Sequence, residues 1–328
     1  MAKTCPECGD TVPAEAIDRR AFLRRAASAA ASLAALPAVA QDVVKPDRTA
    51  EELIKELYAG LAADQKKEAV LPFESDARLK IYNAALGKTI GQVYTKPQQE
   101  LVQRILRALA SDEKGWRQIT RNGTWDASQA FENCGANLFG DLNGKWTWVF
   151  SGHHLTLRCD GDSVEGPALG GPLYYGHTPN GYSDNNVFSY QTYTAMAVYD
   201  ALDEGLRKKA VVVGTPGEGA PSIKFRPDGE ARPGVAGAEL NAEQKGLVER
   251  TMRDLLSPYR KADGDEVLSV IKAHGGLDKL HMAFYKEPDQ ERSAKRPWHF
   301  WRIEGPGFVW NFRVLPHVHT FVNISSRA

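Results

Sequence analysis

The chain has 328 residues and a balanced charge, 41 Lys and Arg against 41 Asp and Glu. That balance excludes the clustered basic surface that nucleic-acid binding or a polybasic membrane patch needs. Seven Trp and eleven Tyr point instead to aromatic strands and pocket walls.

The first element is a leader. Asp18-Arg19-Arg20-Ala21-Phe22-Leu23-Arg24 sets two arginines before Phe-Leu and a further basic residue, the twin-arginine pattern. An apolar stretch, Ala26 to Leu36, and a small-x-small site, Ala38-Val39-Ala40, complete a secretory signal. The expectation is that residues 1–40 are removed after the twin-arginine translocase has delivered the protein to the periplasm or medium. The competing reading is an Ala-rich amphipathic helix of the working protein. Spanning a bilayer takes about 20 apolar residues, more than this stretch or any other supplies, so no membrane anchor is expected after cleavage. Cys5-Pro6-Glu7-Cys8 resembles half of a zinc ribbon, but no second CxxC exists to complete four ligands.

Beyond Ala40 there are 288 residues, enough for one large domain or two small ones. Residues 41–49 read as a polar tether. Asp47 to Leu61 has helical spacing, with Leu53, Ile54, Leu57, Tyr58 and Leu61 on one face. Arg78 to Leu86 and Gln98 to Ala110 are further helices, the second carrying Leu101, Ile105, Leu106 and Leu109 after a proline. The middle then turns to β. Asn143-Gly144 marks a hairpin between Asn137–Leu142 and one long strand from Lys145 to Cys159. Gly166 to Gly181 reads as a loop, Val187 to Leu206 as a helix, Lys208 to Val213 as a short strand, and Gly214 to Gly237 as a second Gly/Pro loop. Asn241 caps a helix to Tyr259, and Asp265 opens another to His274. Pro297–Glu304 and Phe308–Leu315 form a hairpin around Gly305-Pro306-Gly307, and Pro316–Ile324 is a last strand. The expected fold is α+β: a helical N-terminal third packed on a mixed, largely antiparallel sheet, with residues 50–328 forming a single domain.

Two cysteines follow the leader, Cys134 and Cys159. In an oxidising compartment they read as a disulfide, as two buried thiols, or as a thiolate ligand beside the histidines.

The histidines carry the most chemistry. His317 and His319 stand at i and i+2 on a strand, so both imidazoles aim one way. A third ligand from another strand, His153 or His154, would complete a facial set, although a strand points those neighbours to opposite faces unless it bulges near Gly152. Such a set accepts Zn, Cu or Fe ions. The competing reading is that all are core histidines hydrogen-bonded to their surroundings. Arg302 and Glu304 share a strand face after His299. They are either a structural ion pair or a carboxylate-binding Arg beside a general base. Glu304 and His299 are thus the candidate acid/base groups, and Arg302, His177 and Tyr175 the candidate substrate contacts. His274 and His281 fall in helical segments. Asp160-Gly161-Asp162 and Asp263-Gly264-Asp265 lack the full calcium-loop pattern and read as turns.

Three of these segments resemble one bacterial family. Trp146-Thr-Trp-Val-Phe-Ser-Gly-His-His-Leu-Thr-Leu157, His299-Phe-Trp-Arg-Ile-Glu-Gly-Pro306 and His317-Val-His319-Thr320 are similar, in order, to the motifs of the family called domain of unknown function 3500. The helix at Gln98–Ala110 and Gly171-Pro-Leu-Tyr-Tyr-Gly176 fit its order too, so the resemblance covers most of residues 50–328. Where family members continue after H-x-H with Arg-Asp, this chain has Phe321-Val-Asn-Ile-Ser. The resemblance implies a shared fold and shared His motifs and supplies no reaction. Three functions stand open: a metalloenzyme, a non-catalytic protein holding a small molecule or metal in an aromatic pocket, and a structural or partner-binding domain. The first two require the His motifs to converge.

Overall fold

The computed structural model describes residues 48–227, 229–287 and 296–327. The leader, the Cys5/Cys8 pair and nearly all of the tether lie outside these residues. Among the described residues, no helix is long and apolar enough to cross a membrane.

Among the described residues, eleven strands form one sheet: β1 (Val70–Leu71), β2 (Gly135–Gly140), β3 (Trp146–Gly152), β4 (Leu155–Cys159), β5 (Leu173–His177), β6 (Val211–Val213), β7 (Val235–Ala236), β8 (His281–Lys286), β9 (Phe300–Gly305), β10 (Phe308–Arg313) and β11 (Val318–Ile324). Their order is β1-β2-β3-β4-β5-β11-β10-β9-β8-β6, with β7 beside β8. Only β1–β2 and β6–β8 pair in parallel. The expected α+β class with a mixed, largely antiparallel sheet is therefore correct.

Among the described residues, nine helices accompany the sheet: α1 (Ala50–Ala59), α2 (Ala63–Ala69), α3 (Ile90–Val93), α4 (Lys96–Leu109), α5 (Glu113–Thr120), α6 (Ser189–Ala201), α7 (Glu204–Ala210), α8 (Ala242–Leu256) and α9 (Lys261–Ala273). Helices are not confined to the N-terminal third; four of them follow β5. Their starts are chemically marked. Thr49 Oγ1 accepts from the Glu52 amide while Glu52 returns its carboxylate to the Thr49 amide, a capping box. Asn241 and Gln244 repeat the device at α8.

Alternation along the strands gives the sheet two different faces. One face sends Trp148, Phe150, Leu155, Leu157, Tyr175, Trp301, Ile303, Trp310, Phe312, Val318 and Val322 into the main core against the helices. The other carries Ser151, Thr156, Tyr174, His319, Phe321, Asn311 and Arg302. Two segments outside the α-helices lie on it. Ile81, Ile223 and Phe225 pack on Tyr174, Val309 and Phe321. Thr156 Oγ1 accepts from the Tyr82 amide at 2.8 Å, and Ser151 Oγ from the Leu86 amide at 2.8 Å. Residues 78–86, expected to be helical, are thus a single 3-10 turn, Asp76–Leu79, followed by this extended cover. The apolar spacing there serves a sheet face, not a helix stripe.

Five other expectations need correction. The run Lys145–Cys159 is not one strand but two, β3 and β4, paired antiparallel through a two-residue turn at His153-His154. The predicted loop Gly166–Gly181 contains β5, which joins the two halves of the sheet. The helix expected over Val187–Leu206 breaks after Ala201, and Asp203 caps a new one by accepting from the Leu206 amide at 2.8 Å. His281, expected in a helix, opens β8, and Asp263-Gly264-Asp265 lies inside α9 rather than in a turn.

Cys134 and Cys159 are buried free thiols, so the disulfide reading is overturned. The reason is topological. Cys134 directly precedes β2 and Cys159 ends β4, and these strands flank β3 on opposite sides. Two inter-strand steps, roughly 9–10 Å, and an offset of four residues along β3 separate them, well beyond the Cα separation of about 7 Å that a disulfide tolerates.

Candidate metal centre

The hairpin turn at His153-His154 decides the site. His154 takes a left-handed backbone, φ 52°, a conformation that costs a non-glycine residue about 1–2 kcal/mol. The turn is clamped from both sides. The His154 amide donates to Asn83 Oδ1 at 2.8 Å, and its carbonyl accepts from the Gly176 amide at 3.0 Å and from the buried Arg121 guanidinium. Because the pair turns rather than runs straight, both imidazoles reach one side, ring centroids 3.8 Å apart. A bulge is not needed.

His317 precedes β11 and His319 lies on it. His317 Nε2 lies 3.2 Å from His154 Nε2 and 2.9 Å from His319 Nε2. All three residues are wholly buried, and one ligand atom from each falls within 4.8 Å of the others. Nitrogens held 2.0–2.1 Å from a tetrahedral zinc sit about 3.3 Å apart, close to these separations.

The opposite ring nitrogens meet carboxylates. His154 Nδ1 is 2.9 Å from Asp126 Oδ2, and His319 Nδ1 is 3.2 Å from Glu218 Oε1. A proton on Nδ1 donated to each carboxylate leaves the Nε2 lone pair facing inward, the arrangement that orients histidine ligands in metal sites. With two of the three Nε2 atoms acting as acceptors, a single Nε2–H on His317 can satisfy only one of them. A cation at the centre satisfies all three.

Asp126 sits in a loop with left-handed residues at Trp125 and Asp126. Such strain persists where the surroundings over-determine it, and here the carboxylate is fully engaged. It accepts from the Thr178 amide at 3.2 Å and from the Thr178 hydroxyl, and His153 Nδ1 lies 3.5 Å from it. Burial alone would raise this carboxyl, but the hydrogen bonds from His153 and His154 outweigh it and hold the group well below the usual carboxylate range. Burial pushes His154 down to about 3 against the pull of Asp126. Burial, with Arg313 nearby, pushes His319 well below its ordinary value. Neutral imidazole is the metal-binding form. Glu218 is held in turn by Arg313 Nη1 at 2.6 Å.

Gly176, opposite His319 on β5, makes room for the rings. A Cβ there would lie 2.3 Å from Val318 O, 3.0 Å from His319 Cδ2 and 3.4 Å from His154 Cβ. Gly176→Ala is expected to cost about 1–3 kcal/mol by overpacking and to weaken metal binding by displacing His319. Urea unfolding and a metal titration of the same variant measure both effects.

The sequence-predicted residues divide. His154, His317 and His319 converge, while His153 joins Asp126 and His154 in an adjoining group. His177 ends β5. Its Nδ1 accepts from the Val187 amide at 3.2 Å, and burial pushes it down to about 4. Tyr175 points into the helical core, donating to Leu255 O at 2.5 Å and Gln191 Oε1 at 3.0 Å, on the other face from the histidines. Glu304 and Arg302 form the ion pair, 2.8 Å, with Arg226 at 2.9 Å and Asn311 at 3.0 Å. Burial would raise Glu304, but the guanidinium partners lower it overall. His299 is held by its backbone between Tyr285 and Val314 and belongs to neither convergent group found among the described residues. Asp126, Glu218 and Arg121 carry no signature in the sequence. Arg313 alone left a trace, as a charged residue within an aromatic strand.

A family model described as a protein of unknown function (DUF3500) matches residues 45–325. No curated protein and no solved structure matches the chain.

Proposed function

The chain belongs to the DUF3500 family of unknown function, and from that premise we propose that it is a metal-dependent enzyme whose centre is His154, His317 and His319. The convergence of the three Nε2 atoms, with Asp126 and Glu218 behind two of the rings, carries this reading. Three neutral nitrogen ligands suit Zn, and also Cu or Fe. His154, His317 and His319 would hold the ion; zinc there would supply an activated water for hydrolysis, and copper or iron would supply redox chemistry.

The protein's own residues have definable tasks in either case. Asp126 fixes the His154 tautomer and, with Arg121 and Asn83, holds the turn. Glu218 orients His319 and is the nearest carboxylate on the loop that covers the sheet's second face, so it is the group placed to move a proton at the site. Arg313 holds Glu218 in place. His299, Glu304 and Arg302 are a less direct choice for acid/base or substrate work, since Glu304 is already committed to two arginines. The twin-arginine leader supports export of the folded, metal-loaded protein to the periplasm or beyond.

A second reading, a non-catalytic protein that sequesters a metal, is favoured by one observation: all three ligands are wholly buried. Elemental analysis of untagged protein, followed by reconstitution of stripped protein with Zn²⁺, Cu²⁺ or Fe²⁺, tests both. About one ion per chain supports the centre. Absence of stoichiometric binding by all three ions overturns it. Exchange of a small anion such as azide onto the bound metal favours the enzyme, and refusal of any exogenous ligand favours sequestration.

A further inference from the structure

The three ligand rings are wholly buried, so an ion reaches them only when part of the cover moves. Two cover segments touch the centre. Asn83 accepts from the His154 amide, and Glu218 meets His319 Nδ1. The segments are tied down differently. Residues 81–86 are held by their backbone. The Tyr82 amide donates to Thr156 Oγ1 at 2.8 Å, the Tyr82 carbonyl accepts from the same hydroxyl at 2.9 Å, and the Leu86 amide donates to Ser151 Oγ at 2.8 Å.

Residues 214–219 are held at their ends and by a side chain. At one end the Gly214 amide donates to Lys286 O on β8 at 2.9 Å. Past the other end, Ser222 O accepts from Arg302 Nη1 at 2.6 Å and Ser222 Oγ from Asn311 Nδ2 at 3.0 Å. Among the described residues, no backbone-to-backbone hydrogen bond joins residues 215–219 to the sheet, and none of residues 214–219 is buried. Glu218 fastens this stretch to the centre. Its Oε1 is 3.2 Å from His319 Nδ1, and its Oε2 accepts at 2.6 Å from Arg313 Nη1, while Arg313 Nε donates to His317 O at 3.2 Å. The backbone on both sides of Glu218 is left-handed at glycine: Gly214 has φ 106°, Gly217 80° and Gly219 78°. A Cβ at Gly214 or Gly217 would meet no atom within 4 Å. Glycine at these two positions therefore serves the backbone conformation of the closed segment and not close packing.

We propose that residues 214–219 form a strap that gates the histidine centre, latched by Glu218 and hinged at Gly214 and Gly219. When the Glu218 carboxylate leaves His319 and Arg313, the strap swings away and uncovers His319, while residues 81–86 and the sheet stay in place. A wholly buried centre thereby loads and exchanges its ion by a local opening, without unfolding. The inference rests on the proposed metal centre for its purpose, and its first test is read on the metal-free chain, so that the two fail separately.

Diethyl pyrocarbonate, which acylates neutral imidazole, is applied to the whole metal-free chain, and labelling of each histidine is followed by peptide mass spectrometry. When reclosing outpaces labelling, the rate at a buried group follows the open population. His319 should label slowly in the parent. Gly214→Ala and Gly217→Ala touch no neighbour but strain the closed backbone, so each should raise His319 labelling about tenfold. Glu218→Ala removes the latch and should raise it about tenfold or more. His274, half-buried with Nε2 3.2 Å from Ser325 O, is the internal reference, and its rate should not change. In zinc-loaded protein the glycine variants should surrender zinc to a chelator faster by a similar factor. His319 labelling unchanged in both glycine variants overturns the strap. So does a rise shared equally by His274, which marks general loosening. A chain that binds no zinc yet shows the selective rise keeps the strap and loses the metal centre. A chain that binds zinc without that rise keeps the centre and loses the strap.

Discussion

Replacing His317 and His319 together by alanine is expected to reduce bound metal from about one ion per chain to background, because it leaves one nitrogen ligand of three. Both side chains are wholly buried beside His154, so their removal also opens a cavity. A stability loss of about 2–4 kcal/mol follows from lost packing, and circular dichroism with a melting curve shows whether the variant is folded when its metal content is read. Asp126→Asn supplies the conservative companion. It keeps the size of the side chain but weakens the acceptor that fixes the His154 Nδ1 proton, and losses of about 10–100-fold in metal affinity accompany such changes. A folded double variant that retains stoichiometric zinc would place the metal elsewhere and remove the basis of the proposed function.

Arg121→Met is expected to cost about 3–5 kcal/mol, the scale of breaking a buried charged network. Arg121 is 2 % exposed. It donates from Nε to Gly176 O at 2.9 Å, and from its two terminal nitrogens to the carbonyls of Ile119 and His154. Methionine keeps much of the volume and strands those carbonyls without a donor. Each unpaired buried polar group costs about 1–3 kcal/mol, although the His154 carbonyl keeps the Gly176 amide. In a domain of this size the result is a fall in Tm of about 10 °C. Because two of the three carbonyls belong to His154 and Gly176, metal affinity should fall with stability. A Tm change below about 2 °C would show that Arg121 is not the clamp described above.

Much of the architecture was legible in the residues themselves. Helices α1, α4 and α8 follow from apolar spacing, and α8 also from its cap at Asn241, because helix formation is governed by neighbours three and four residues apart. The hairpins at Asn143-Gly144 and Gly305-Pro306-Gly307 follow from local turn chemistry, and His317 and His319 were marked as a pair by the period of two. The sequence order of the His motifs also identified the family. What sequence did not decide depends on contacts distant along the chain. Whether His153-His154 continues a strand or turns it depends on Asn83, Arg121 and Gly176 closing around His154. Residues 78–86 have spacing that suits a helix, yet they extend because the second face of the sheet offers Thr156 and Ser151 as partners. Cys134 and Cys159 look bridgeable until β3 lies between them. Asp126 and Glu218 sit in loops whose composition gives no sign of their task; only folding brings them behind His154 and His319. Local periodicity thus determined α1, α4, α8, the two hairpins and which histidines pair, whereas the third ligand and its supporting carboxylates were decided by long-range packing, which no short window of sequence encodes.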